Sequence, residues 1–121
     1  PRGCPDVSDE HYSAMAAMEE DLAQFRQVDD SPYRLTALPW PDAIHDENGD
    51  RLPATYANFL IINGAVLVPV YDVPQDEQAL DIIRGIFPDR ELVPINCRPL
   101  IQQHGSLHCI TMQIPAGVVN P

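Results

Sequence analysis

Residues 55–71, TYANFLIINGAVLVPVY, constrain the fold more than any other stretch of the chain. Asn63-Gly64 sits between two apolar runs, the strongest short-range mark of a β-hairpin. The arms, 56–62 and 65–71, are almost continuous in hydrophobicity. Strands of that kind are covered on both faces, as in sheets packed by helices. Asn58 is the polar interruption of the first arm. It is either a core amide with its hydrogen bonds satisfied or a group aimed into a site.

The flanking segments extend the pattern. DEQALDIIRGIF, 76–87, places Ala79, Leu80, Ile83 and Phe87 on one helical face, with acids at its start and Pro88 as its stop. ELVPI then reads as a strand, Cys97-Arg98-Pro99 as a turn, and 107–113 as a final strand. The order from Tyr56 is strand, strand, helix, strand. Upstream, Ser8 is placed to cap a helix over about 9–27, with Asp9 and Glu10 in its first turn. Met15, Met18, Leu22 and Phe25 recur at helical spacing and read as a core-packing stripe. YRLTAL, 33–38, alternates like a strand, so that helix and strand resemble the tail of a preceding unit of the same plan. The loop that follows holds Asp46, Asn48 and Asp50, which lack the full ligand set of a calcium loop and read as a hairpin tip.

Bulk properties narrow the function classes. A chain of 121 residues with 45% hydrophobic content suits one domain with an ordinary core. Thirteen prolines cut it into short segments and exclude a long helix bundle. The net charge of −11 would repel a phosphate backbone, so nucleic acid is not expected as a partner, whereas a small cation would be drawn in. Neither a bilayer-spanning run nor a signal-peptide pattern is present, so no membrane partner is expected. The start at Pro1 fits processing or excision from something longer. Cys4, Cys97 and Cys109 are odd in number and irregular in spacing, which points to a reducing, cytoplasmic setting rather than a disulfide framework.

QHGSLHCITMQIP raises the chemical question. On an extended 107–113, Cys109 shares a face with Leu107 and Thr111, while His108 faces away. His108 is then a poor base for Cys109, and nothing local fixes His104 beside it. A thiol needs a cation or hydrogen-bond donors to act as thiolate. On physics alone Cys109 reads as a small buried hydrophobe, with a nucleophile as the alternative. A metal module of His104, His108 and Cys109 is a weaker third reading; no metal or cofactor is expected.

Taken in order, LPATYANFLIINGAVLVPVY, DEQALDIIRGIFPDRELVPINCRPLI and QHGSLHCITMQIP strongly resemble the carboxy-terminal portion of the agmatine deiminase family, which is grouped with Porphyromonas-type peptidylarginine deiminases. The resemblance runs from about Tyr33 to Pro115. It implies an α/β fold, part of a five-bladed β/α propeller (the pentein architecture) built from ββαβ units. This chain would be about one ββαβ unit plus part of the preceding one, a mixed sheet with two main helices. The expected layout is a single domain over 1–121, with an amino-terminal helix and linker over 1–31 and the nucleophile-bearing unit over 32–115.

The resemblance also implies that Cys109 is the catalytic nucleophile that attacks a guanidinium carbon. Asn58 carries over as an active-site residue of the peptidylarginine branch, and Gly105 and Ser106 as shapers of the substrate-binding loop. Gly105 would supply backbone angles closed to other residues. The family's catalytic histidine belongs to a His-x-Asp motif, and no His-x-Asp occurs here. The isolated chain is therefore expected to be inactive, with the rest of the parent propeller as its partner and homodimerisation through an exposed edge as a further option. Agmatine is the favoured substrate, giving N-carbamoylputrescine and ammonia; peptidylarginine is the alternative, and a non-catalytic interaction domain is the alternative of another class.

Overall fold

Asn63-Gly64 turns the chain as its sequence predicts. In the computed structural model, which describes residues 6–115 and 117–118, Gly64 takes a φ of 80° between two short strands. These are β1 (Leu60–Ile62) and β2 (Ala65–Val70), antiparallel, with Ile62 opposite Ala65 and Leu60 opposite Leu67. The chain then crosses through helix α2 (Asp76–Ile86) to β3 (Glu91–Asn96), which lies parallel to β2. The sheet order is β1-β2-β3, so the ββαβ unit is present as a mixed sheet. Helix α1 (Tyr12–Gln24) precedes it.

The two strand prolines sit where a missing N–H costs nothing. Cys97 N donates to Val70 O at 2.9 Å, so Val70 faces β3 and Pro69 faces the opposite side, where β1 has already ended beyond Leu60. Glu91 N donates to Gly64 O, so Pro94 points away from β2 along a free edge. An edge lacking a donor resists adventitious strand pairing.

Alternation along β2 sends side chains to two cores. Val66 and Val68 meet Leu80 and Ile83 of α2, with Phe59 and Phe87 edge-to-face beside them. On the other face Leu67 and Ile95 pack against a cluster of Ile44, Leu52, Tyr56, Tyr71, Cys97, Ile101 and Leu107. Asp76 ties the layers. Its carboxylate takes the Tyr56 hydroxyl at 2.7 Å and the Tyr71 and Val73 N–H groups at 3.1 and 3.2 Å.

Several expectations need correction. Helix α1 starts at Tyr12 and ends at Gln24, and Ser8 does not cap it; Ser8 N and Oγ both bind the Asp6 carboxylate. Asp9 and Glu10 lie before the helix and pair with Arg51 at 3.0 and 3.3 Å, which pins the amino-terminal segment to the 45–51 loop. The α1 stripe is not core, since no α1 residue is buried and Phe25 is 59% exposed. Residues 33–38 form no strand; only an Arg26–Pro32 bridge lies nearby. The first hairpin arm shortens because Tyr56–Asn58 is a 3-10 turn, capped by Thr55 Oγ1 on Ala57 N. The 45–51 loop is a hairpin tip, closed by a His45–Arg51 bridge and by Asp46 accepting from Asn48 N and Asp50 N. Among the described residues no helix is long and apolar enough to cross a membrane.

Candidate active site

The largest departure from the sequence reading builds the site. Residues 107–113 are not a strand. His108–Ile110 form a 3-10 turn held by Cys109 N on Ser106 O and Thr111 N on His108 O, both at 3.1 Å. The β-branched and apolar content of the run favours extension, but Leu107 is buried in the core and the local N–H groups are satisfied within the turn. Cys109 thereby leaves the alternation assumed for it and is exposed rather than buried.

Asn58 crosses to meet it. Its Oδ1 accepts the His108 N–H at 2.6 Å, which fixes the amide, and its Nδ2 then donates to Cys109 Sγ at 3.3 Å. The backbone N–H of Ser106 is the largest influence on the sulfur, followed by the Asn58 amide; with a smaller help from the residue's own backbone they hold the Cys109 thiol below its ordinary range against the opposing cost of desolvation. Hydrogen bonds to the charged form favour it. All of these donors are neutral.

Gly105 matters here for the space it leaves rather than for the backbone angles expected of it. Its φ is not in the left-handed region. A Cβ there would stand 3.3 Å from Cys109 Cβ and 3.9 Å from Sγ, so the glycine leaves room for the Cys109 side chain. Ser106 is 1% exposed, and its hydroxyl lies 2.8 Å from Tyr71 Oη. The four residues singled out in sequence, Asn58, Gly105, Ser106 and Cys109, therefore gather in one place.

The other thiols differ. Cys97 is fully buried and its thiol is pushed up by burial. Cys4 lies outside the described residues. His104 caps the Leu100–Gln103 turn with a φ of 62°, and the nearby Asp46 carboxyl is lowered chiefly by the Asp50 N–H. Among the described residues no three His, Cys, Asp or Glu side chains gather as a metal site. Tyr71 and Thr55, which tie the site together, were missed because nothing local in sequence links them to Cys109.

The sequence model of the Porphyromonas-type peptidyl-arginine deiminase family matches residues 2–115. The chain belongs to that family. A provisionally named agmatine deiminase of Vibrio parahaemolyticus is 32% identical over 127 residues, taking in 92% of this chain and 35% of that protein. A Porphyromonas gingivalis structure, provisionally named an arginine deiminase, superposes with a TM-score of 0.89 at 62% identity, over 93% of this chain and 33% of the other. A C. jejuni agmatine deiminase with a cysteine changed to serine and substrate bound matches with a TM-score of 0.76 at 35% identity, over 87% and 29% of the two chains. This chain thus spans about a third of the length of its relatives. The fold is part of a pentein propeller.

Proposed function

We propose that this chain is the nucleophile-bearing part of a guanidino-group deiminase. Cys109 is its catalytic residue, Asn58 and the Ser106 N–H hold the thiolate, and Gly105 keeps the approach open. The observation that carries this reading is an exposed thiol met by the Asn58 amide at 3.3 Å and lowered below its ordinary range by neighbouring N–H groups. A thiol that only packs has no need of them, which counts against the non-catalytic alternative.

In the reaction, the thiolate of Cys109 forms a C–S bond to the guanidinium carbon. Ammonia leaves from the tetrahedral adduct, taking up a proton. Water then adds to the amidino-thioether, and the C–S bond breaks to return the thiolate and release the carbamoyl product. A resonance-stabilised guanidinium is a weak electrophile, so two smaller barriers replace one large one. Neutral donors suit this substrate, because its own positive charge completes the stabilisation of the anion beside it. The proton carrier belongs to the remainder of a longer protein, in which 32–115 forms one blade and 1–31 the approach to it.

Agmatine is the favoured substrate, on the names of the Vibrio and C. jejuni relatives. Peptidylarginine is the second reading, favoured by the family's own description. Ammonia release by the full-length protein from agmatine and from a blocked arginyl peptide, run in parallel, separates the two. Agmatine turnover at least tenfold above the peptide supports the first reading, and the reverse ratio supports the second. Activity from neither would overturn the deiminase assignment. The isolated chain is expected to turn over neither substrate.

A further inference from the structure

Tyr71 follows directly on β2 and is fully buried, packed at 5.7 Å between centroids against Tyr56. Its hydroxyl makes three hydrogen bonds. It accepts the Thr55 N–H at 3.1 Å, donates to Thr55 O at 2.9 Å, and lies 2.8 Å from Ser106 Oγ. With its single proton on Thr55 O, the oxygen is left to accept from Ser106, so all three are made at once.

Each residue tied to this oxygen anchors a turn that brings one partner to the thiol. Thr55 caps the Tyr56–Asn58 turn, with Oγ1 accepting from Ala57 N and its carbonyl from Asn58 N, both at 3.3 Å. That turn presents the Asn58 amide. Ser106 accepts the Cys109 N–H on its carbonyl at 3.1 Å, which sets the turn carrying the sulfur, and its backbone is the largest influence lowering the thiol. The two turns lie far apart in sequence, and Asn58 and Cys109 are separated by 51 positions. A hydrogen-bonded oxygen in a dry core is a stiff joint, because leaving any of its partners unpaired there is costly.

We propose that the Tyr71 hydroxyl is a positioning group for the Cys109 nucleophile, pinning Thr55 and Ser106 to one atom so that the Asn58 amide and the Ser106 N–H both remain on the sulfur. The phenol never touches substrate; it acts through the two turns. The inference deepens the deiminase reading and rests on Cys109 being the nucleophile.

The test is the pH profile of iodoacetamide alkylation at Cys109, located by peptide mass, in the full-length protein and its Tyr71→Phe variant. Phenylalanine keeps the ring in the core and removes only the oxygen. The wild-type rate should level off below the ordinary thiol value of about 8.5. In Tyr71→Phe the inflection should move up towards that value, and alkylation at pH 7 should fall by about three- to tenfold. Ser106→Ala, which keeps the backbone N–H but cuts one arm, should shift the profile in the same direction. The double variant should move no further than the larger single, the mark of one shared device.

A cooperative thermal transition certifies that each variant is folded, and Ser106→Ala carries the test should Tyr71→Phe not fold. Folded variants with the wild-type profile would overturn the positioning role and leave the nucleophile reading standing. An ordinary, unshifted profile in the wild type would overturn both.

Discussion

At Cys109 the groups that favour the anion, the Ser106 backbone, the Asn58 amide and the residue's own backbone, are neutral donors, so the sulfur is favoured as an anion without a fixed cation beside it. Removing a donor raises the proton affinity of the sulfur. Asn58→Ala should shift the alkylation inflection of Cys109 upward, and Asn58→Asp further still, because a carboxylate would then stand where an amide donor was. Equal profiles for wild type and Asn58→Asp would contradict this placement. Gly105→Ala should lower turnover by about tenfold or more with little change in unfolding midpoint, since the new methyl presses on Cys109 Cβ at 3.3 Å rather than on the backbone. The ordered motifs single out Asn58, Gly105, Ser106 and Cys109 as candidates. Their assembly is not legible there, because period-two alternation assigns faces only if a segment is extended, and 108–110 is held in a turn by Asn58 and Ser106.

Elements whose signals are local were read well. The Asn63-Gly64 turn, the amphipathic 76–87 segment and the ELVPI strand each carry their own punctuation, and β1, β2, α2 and β3 follow it. Segments that depend on distant partners were not. Residues 33–38 have strand composition but pair with nothing among the described residues, and α1 starts late because Asp9 and Glu10 turn to Arg51. Asp76 joins the crossover to both buried tyrosines, so Asp76→Ala should cost about 2–3 kcal/mol in urea unfolding by stranding the Tyr71 and Val73 N–H groups. Alkali tests the same layer. Burial raises both the Cys97 thiol and the Tyr71 phenol, so above about pH 8.5 the unfolded chain loses protons that the folded chain keeps. Stability should therefore be full below that pH and fall as pH rises through it. A urea midpoint that holds steady from pH 8 to pH 10.5 would contradict the assignment.

On the scale of the whole molecule, a net charge of −11 accompanies an uncovered apolar strip of Met18, Leu22, Phe25, Tyr33 and Leu35. An exposed apolar strip of this kind marks a surface for association. Alone, the chain should self-associate with concentration in sedimentation velocity, and Phe25→Glu should push it towards monomer. The central claim is covalent chemistry at Cys109. It is tested most directly by rapid acid quench of the full-length protein during turnover of agmatine, followed by peptide mass analysis. The account predicts an adduct of agmatine less ammonia on Cys109 that forms before product, is cleared on chasing, and vanishes with turnover in Cys109→Ala. Undiminished ammonia release from Cys109→Ala, or an adduct that builds on another residue, would contradict it.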